Sequence, residues 1–246
     1  MTFSGKVALV TGGGRDIGKS VSEALAKGGA KVIVNYRSDE GAAPATVDAI
    51  TAAGGQAVLH RADVTKADEV AALVEAAGDR IDILVNLAGG MVARRTLADM
   101  DEAFFDQVMD LNLKSAFLVT KAALPKLGKG SAIVNVSSLA GRDGGGPGAS
   151  IYATSKGALM TLTRAWAKEL GPQGIRVNAV CPGLIGTSFH DIFSKPEGRA
   201  AVAGNTPLRR EGQPQEVADL IAYLASDAAS FVTGACVDIN GGLSFS

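Results

Sequence analysis

The sequence predicts one doubly wound α/β domain over residues 1–246, with a seven-stranded parallel sheet and helices on both faces. Short β-branched runs alternate along the chain with Ala-rich amphipathic segments, which indicates right-handed βαβ units. The runs are apolar on both faces rather than at alternate positions, as is typical of a parallel sheet that helices bury on each side. No Pro- or Ser-rich linker and no internal repeat divides the chain, so we expect a single domain.

Seven runs rich in valine and isoleucine mark the strands, because short β-branched runs favour strands over buried helices. They cover residues 6–11, 31–36, 56–60, 81–86, 131–137, 175–180 and 236–239. Amphipathic segments predict helices near 17–28, 41–53, 66–78, 100–127, 152–170 and 214–225. The stretch 184–213 is rich in proline and glycine, and we expect it to be irregular and to cover a substrate as a mobile lid.

The composition excludes several classes of protein. The chain is 47% apolar with a net charge of −1, and it has no basic block that would neutralise the phosphates of a nucleic acid. No apolar run approaches the ~20 residues of a membrane span, and the first residues, "MTFSGK", are not typical of a signal peptide. Cys181 and Cys236 form no metal-ligand spacing. We expect a cytoplasmic protein with no metal, membrane or nucleic-acid partner.

A glycine-rich turn, "TGGGRDIG" over 11–18, follows the first strand and indicates a Rossmann-type nucleotide site. Gly12 permits the tight bend and Gly18 lets the helix approach the strand, so backbone N–H groups can face a pyrophosphate. A tight turn without a ligand remains the alternative. Asp16 stands where a glycine is expected, and we interpret it as the N-cap of the first helix. Arg15 would then offset the repulsion between this carboxylate and a phosphate.

Tyr152 and Lys156 lie four residues apart in "SIYATSKGAL", so they share one face of a predicted helix. Ser138 ends the strand that contains "NVSS". Together with "LVNLAGG" (84–90), "DLNL" (110–113), "NAVCPGLIGT" (178–187) and the segment 209–242, these residues resemble the short-chain dehydrogenase/reductase family. The resemblance covers essentially the whole chain in the expected order. It implies an NAD(P)-dependent enzyme that interconverts a carbonyl and an alcohol.

The spacing of the tyrosine and the lysine suits proton transfer. A free tyrosine has a pKa near ~10, and a cation one helical turn away favours the phenolate, which we expect to lower the pKa of Tyr152. Tyr152 can then act as general acid or base. The resemblance implies that Ser138 holds the substrate oxygen, that Lys156 also binds the nicotinamide ribose, and that Asn112 positions a water that relays protons. Asn112, Ser138, Tyr152 and Lys156 are therefore the candidate catalytic residues.

The end of the second strand predicts which nicotinamide cofactor binds. An acid there would bind both hydroxyls of an unphosphorylated ribose, but this position carries Asn35. Arg37 and Arg15 favour a 2′-phosphate, because guanidinium groups bind phosphate bidentately. We therefore predict NADP(H), with Asp39 and Glu40 leaving NAD(H) as the alternative. With the contacts that the resemblance implies, the predicted cofactor-binding residues are Gly12, Arg15, Ile17, Gly18, Arg37, Asp63, Val64, Asn86, Ala88, Gly89, Tyr152, Lys156, Pro182, Gly183, Ile185 and Thr187.

Two positions depart from the family pattern. Leu87 replaces the second asparagine of the usual "NNAG", while Asn86 keeps the first. Ser138 lies fourteen positions before Tyr152, one more than is usual, and the loop between them is glycine-rich enough to accommodate the extra residue. Because that loop borders the substrate, the insertion bears on the substrate class rather than on the mechanism.

Three functions are compatible with these residues. The first is an NADPH-dependent reductase of a small polar carbonyl compound, such as a sugar-derived or oxo-acid substrate. The second is a 3-oxoacyl-(acyl-carrier-protein) reductase of fatty-acid synthesis, which needs a basic patch to dock an acidic carrier protein. Lys126 and Lys129 could contribute to that patch, but Gln173 stands where such reductases commonly have arginine. The third, a non-enzymatic nucleotide sensor, is disfavoured because both Tyr152 and Lys156 are present.

The resemblance also implies a homotetramer. The predicted helices 100–127 and 152–170 would form one interface, and the apolar tail "VDINGGLSFS" could join another.

Overall fold

All seven strands lie parallel in one sheet of the computed structural model, which describes residues 1–245. The strands are β1 (Val7–Thr11), β2 (Lys31–Tyr36), β3 (Gln56–Arg61), β4 (Ile83–Asn86), β5 (Ala132–Val136), β6 (Arg176–Pro182) and β7 (Cys236–Ile239). Their spatial order is β3-β2-β1-β4-β5-β6-β7, which confirms the predicted doubly wound sheet. The direction of winding reverses between β1 and β4, and open sheets of this kind bind ligands in the crevice at that point.

Helices connect the strands and cover both faces of the sheet. Within residues 1–245 they are α1 (Asp16–Lys27), α2 (Ala42–Ala52), α3 (Ala67–Glu75), α4 (Glu102–Met109), α5 (Ser115–Ala123), α6 (Ala140–Asp143), α7 (Ser150–Leu170), α8 (Ser188–Phe193), α9 (Pro196–Asn205) and α10 (Pro214–Ala225). Short 3₁₀ segments lie at Leu97–Asp99, Leu124–Lys126, Gly171–Gln173 and Asp227–Ala229. Among these described helices, none is long and apolar enough to cross a membrane.

Alternate residues of each strand pack on opposite faces of the sheet, which explains why the runs are apolar on both faces. Ala8 and Val10 of β1 belong to a buried cluster with residues of α1 and α10. Leu9 belongs to a second cluster, on the other face, with residues of α3, α5 and α7. Burial of a leucine-sized side chain stabilises a fold by about 1.5–3 kcal/mol. The two clusters therefore fix the strand ends that carry the site.

The prediction of a helix over 100–127 is confirmed for 102–123, which is helical without a break. The chain forms α4, a π-helical segment over Asp110–Lys114, and α5, and then ends in a 3₁₀ turn that contains Pro125. Apolar periodicity does not separate these pieces, because a π segment adds only one residue to a helical turn. The π segment contains Asn112, one of the candidate catalytic residues.

The sequence predicted that the stretch 184–213 is irregular. The structure instead has two helices there, α8 and α9. Pro196 begins α9, since the fixed φ angle of proline suits the first helical position. Neither helix has a fully buried residue, so neither has the apolar face by which sequence analysis finds a helix. Both helices lie on the surface, and residues of each line a cleft at this end of the sheet.

Candidate active site

A large open cleft crosses the carboxyl ends of the strands around β1 and β4. The glycine turn between β1 and α1 forms part of its wall, and the segments that follow β4, β5 and β6 form the rest. Most of the predicted site residues line it, namely Gly12, Arg15, Ile17, Arg37, Asp63, Val64, Ala88, Gly89, Ser138, Tyr152, Lys156, Pro182, Gly183, Ile185 and Thr187. Gly18, Asn86 and Asn112 are not part of the lining, but each adjoins a residue that is.

Ser138, Tyr152 and Lys156 come together where β5 ends against α7. Lys156 is 4% exposed, and its Nζ donates a hydrogen bond to the carbonyl oxygen of Val136 at 2.8 Å. The same Nζ lies 5.9 Å from the centre of the Tyr152 ring. The hydroxyl of Ser138 lies near enough to the Tyr152 phenol to affect its pKa. The sequence-predicted serine, tyrosine and lysine therefore share one corner of the cleft.

Asn112 holds the loop after β4 beside this corner. Its Oδ1 accepts a hydrogen bond from the Gly90 N–H at 2.9 Å, and its Nδ2 donates to the carbonyl oxygens of Gly90 and Val108, each at 2.9 Å. A Cβ atom added to Gly89 would lie 2.7 Å from Asn112 Oδ1 and 3.0 Å from Lys156 Nζ. The amide of Asn112 is thus close to the lysine, while its hydrogen bonds go to backbone. A water relay through Asn112 stays a prediction.

The environment of Tyr152 favours the protonated phenol. Burial raises the pKa of Tyr152, and the neighbouring Ser138 hydroxyl lowers it by less. The expectation of a lowered tyrosine pKa is therefore wrong in direction, because the cost of removing the phenolate from water dominates. Burial also lowers the pKa of Lys156 to about 8. At neutral pH the corner presents a neutral phenol beside an ammonium group, which suits donation of a proton to a carbonyl oxygen.

The glycine turn is held in shape by polar side chains that the sequence analysis did not assign to it. Asn35, 2% exposed, accepts a hydrogen bond from the Gly12 N–H at 3.2 Å and donates to the carbonyl oxygens of Tyr36, His60 and Ala62. Thr46 of α2 donates to the Gly14 carbonyl oxygen at 2.8 Å. We call these contacts of Asn35 the brace of the glycine turn. A polar asparagine near the end of an otherwise apolar strand is the feature of the sequence that could have predicted it.

Asp16 does not cap α1, so the N-cap interpretation is wrong. Arg15 occupies the N-cap position and no side chain caps it. The Asp16 carboxylate instead accepts hydrogen bonds from the N–H of Ser188 at 3.0 Å and from its hydroxyl at 2.5 Å. Asp16 has a φ angle of 49°, the left-handed conformation that normally selects glycine. From this backbone position the carboxylate reaches α8 rather than the free N–H groups of α1.

The two acids that left the choice of cofactor open have other partners. Asp39 accepts hydrogen bonds from the N–H groups of Gly41 and Ala42 at the start of α2, at 3.2 and 2.8 Å. Glu40 forms an ion pair with Arg61 at 3.3 Å. Arg37 remains exposed in the cleft wall. The tip of β2 is therefore positively charged where an NAD-selective site would carry an acid.

The residues present fit a nicotinamide dinucleotide. Gly12 has a φ angle of 64°, and a Cβ atom there would come within 3.2 Å of the Ala88 backbone. A Cβ atom on Gly18 would lie 2.0 Å from the Gly12 carbonyl oxygen, so only glycine allows α1 to begin this close to β1. Asn86 donates to Thr120 and Asn135 beneath the cleft and so supports its floor. The small residues leave backbone, rather than side chains, facing the space where phosphates would lie.

The chain is similar in sequence and in structure to known reductases and short-chain dehydrogenases. A protein-family model described as enoyl-(acyl carrier protein) reductase matches residues 12–244. A curated relative from Synechocystis sp., named 3-oxoacyl-(acyl-carrier-protein) reductase, is 42% identical over 249 residues that cover 98% of each protein. The structure of a short-chain dehydrogenase/reductase from Serratia marcescens superposes with a TM-score of 0.94 at 33% identity and covers 100% of both chains.

Two further solved structures carry different cofactor names. A blue fluorescent protein from a metagenomic library, in complex with NADPH, has a TM-score of 0.93 and 32% identity, with 100% of both chains covered. An NADH-dependent reductase responsible for alginate metabolism has a TM-score of 0.90 and 37% identity, covering 99% of this chain and 98% of the other. The comparisons therefore support a nicotinamide cofactor without selecting NADPH or NADH.

Replacement of Asn35 by aspartate tests the brace under the glycine turn. Asn35→Asp would turn a carboxylate toward three carbonyl oxygens in a buried position, so we expect the free energy of unfolding to fall by about 3 kcal/mol. Urea denaturation followed by circular dichroism measures the loss. Ser38→Asp, which adds the same charge at an exposed position nearby, should change stability by less than about 0.5 kcal/mol. Equal stabilities of Asn35→Asp and the wild type would contradict the brace.

Proposed function

The chain belongs to the short-chain dehydrogenase/reductase family, and from this premise we propose that it reduces the carbonyl group of a small polar substrate with NADPH. The family interconverts carbonyls and alcohols with NAD(P), and this chain is such an oxidoreductase. The observation that carries the proposal is the placement of Tyr152 in the cleft wall beside Ser138 and Lys156. A phenol kept neutral at physiological pH is ready to donate a proton.

Ser138, Tyr152 and Lys156 each have a separate role in the proposed reduction. A reduced nicotinamide, when bound, supplies the hydride that the protein lacks. Ser138 and Tyr152 would hold the carbonyl oxygen by hydrogen bonds, and Tyr152 would transfer its proton to that oxygen as negative charge develops. The ammonium group of Lys156 would stabilise the phenolate that remains on Tyr152. Asn112 keeps the neighbouring loop in place through its bonds to Gly90.

The preference for NADPH is supported by charge at the tip of β2. Arg37 and Arg15 line the cleft, and the nearby Asp39 and Glu40 are engaged by α2 and by Arg61. A 2′-phosphate would meet guanidinium groups rather than a carboxylate. A related structure binds NADPH, while another related reductase is NADH-dependent, so the arginines of this chain carry the assignment.

A sugar-derived or oxo-acid substrate is supported by the wall opposite Tyr152. Arg94, His190, Lys195 and Arg199 line this part of the cleft. Arg199 pairs with Asp191 and Glu211, whereas within residues 1–245 Lys195 has no ion pair. Lys195 is thus available to a substrate carboxylate. One related reductase acts in the metabolism of alginate, a polymer of sugar acids, which favours the same substrate class.

Reduction of 3-oxoacyl groups on a carrier protein is the second candidate function, favoured by the name of the Synechocystis relative. Its docking surface is not supported by the lysines that the sequence suggested. Lys126 pairs with Glu75 at 3.0 Å and donates to the Val74 carbonyl oxygen, which offsets its charge. Lys129 packs against Gly174. We therefore rank the small polar substrate first.

A homotetramer is part of the proposal. Phe105 of α4 and Phe117 of α5 are exposed at 42% and 43% on the helices expected to form one interface. Burial of such aromatic side chains between subunits favours association.

A panel of carbonyl compounds tests the proposed function. We expect loss of NADPH absorbance with sugar-derived oxo-acids, and catalytic efficiency with NADPH about tenfold or more above that with NADH, since Arg37 and Arg15 line the cleft and would attract a 2′-phosphate. An acetoacetyl thioester serves as the comparison substrate. If the thioester is turned over far faster than every other compound, reduction of 3-oxoacyl groups on a carrier protein becomes the favoured function. A higher catalytic efficiency with NADH than with NADPH would refute the cofactor assignment.

The pH dependence of carbonyl reduction follows from Lys156. Because the pKa of Lys156 is about 8, its ammonium group loses its proton as pH rises through that value, and kcat/KM should fall across pH 7–9. Stopped-flow measurement at saturating NADPH gives the profile. Lys156→Arg keeps the charge at all of these pH values, so its lower activity should not vary with pH. A wild-type profile that is level to pH 9 would contradict the role of the ammonium.

A further inference from the structure

We propose that Asp16 and Ser188 form a latch that holds α8 over Tyr152, so that Asp16 is a positioning residue for the substrate side of the active site. The carboxylate accepts both hydrogen bonds that Ser188 offers, from its N–H and from its hydroxyl. These bonds join the glycine turn to a residue 172 positions later in the chain. The inference deepens the proposed function and rests on it for its kinetic consequences.

The strained backbone of Asp16 indicates that its side chain makes a contact that a glycine could not make. A φ angle of 49° costs an aspartate more than a glycine, and a glycine would complete the usual turn. The side chain therefore adds the contact with Ser188 at the expense of backbone strain. Arg15 lies near both groups, with its Nε 3.9 Å from the carboxylate and its Nη1 3.5 Å from the Ser188 hydroxyl. Its charge offsets the negative charge that Asp16 brings to the phosphate side.

Ser188 is the first residue of α8, so the latch fixes where this helix begins. The next residue, Phe189, places its ring 5.8 Å from the ring of Tyr152, measured between centroids. Phe193, one turn later, lies 5.0 Å from Phe189. A shift of the helix start would move Phe189 off the phenol and open the space where a substrate carbonyl would bind. The latch thus determines how closely α8 covers the reacting group.

A second contact holds the other end of α8. Arg94 donates from its Nε to the Phe193 carbonyl oxygen and from its Nη1 to the Pro147 carbonyl oxygen, each at 2.9 Å. This ties α8 to the glycine-rich loop that the sequence analysis singled out. Asp191 and Ile192 of α8 are exposed, and no residue of α8 is fully buried. With little apolar burial, α8 relies on polar contacts to stay in place: the latch at its start, the Arg94 bond at its end and the ion pair of Asp191 with Arg199.

Hydrogen exchange of the full-length protein tests the latch directly. Asp16→Gly removes the carboxylate at a position whose backbone suits glycine, so the variant should fold. We expect the amides of 188–193 to exchange about tenfold faster, as expected when hydrogen bonds to a charged group are lost. Ser188→Ala removes only the hydroxyl bond and should give a smaller increase. Glu23→Gln is the matched control, because it removes one negative charge from the same helix, where Glu23 pairs with Lys19.

Steady-state kinetics separate a positioning role from a structural one. At saturating cofactor, the KM of Asp16→Gly for the carbonyl substrate should rise about tenfold, while kcat stays within about twofold of the wild type. Asp16→Asn retains an acceptor for the Ser188 N–H and should recover part of the loss. A merely structural role would instead lower kcat together with thermal stability, and that outcome would overturn the proposal.

The two experiments distinguish failure of the latch from failure of the proposed function. Exchange of 188–193 at the wild-type rate in both Asp16→Gly and Ser188→Ala refutes the latch whatever the enzyme reduces. If no carbonyl compound is turned over, the proposed function fails, yet faster exchange in the two variants and not in Glu23→Gln still supports the latch.

Discussion

Burial of the Tyr152 phenol and the Lys156 amine beside the end of β5 is the constraint on which the site depends. Burial raises the pKa of the phenol and lowers the pKa of the amine to about 8, so near neutral pH the proton is on the tyrosine. The parallel sheet makes this possible, because α7 packs on a buried face while its first turns reach the carboxyl ends of the strands. The Val136 carbonyl oxygen gives the ammonium group a partner within that environment.

The glycine turn and α8 form two further walls of the cleft, and polar contacts help to position both. Asn35 braces the turn from below, and Asp16 connects it to the start of α8. Cofactor and substrate would therefore lie on either side of one aspartate. This arrangement explains how an acid can occupy a phosphate-binding turn: its hydrogen bonds are directed at Ser188 and not at the ligand.

The parts of this protein that local pattern determines are predictable from the sequence. All seven strands were placed within two residues of their observed ends, since runs apolar on both faces arise only where helices cover a sheet on each side. The helices α8 and α9 were not predicted, because neither buries the continuous apolar face that marks a helix in a sequence. The contact between Asp16 and Ser188 was not predicted, because the two residues lie 172 positions apart and no periodicity connects them. The direction of the Tyr152 pKa depends on burial in three dimensions, which residue spacing does not reveal.

Titration of Tyr152 tests the central claim most directly. The chain has three tyrosines, so a protein labelled with ¹³C at the tyrosine ring carbon Cζ gives few signals, and comparison with Tyr152→Phe assigns the one from Tyr152. We expect this signal to titrate above the value of about 10 found for free tyrosine. A titration below that value would show that the neighbouring ammonium outweighs burial, and it would contradict the account in which burial determines the pKa of the phenol.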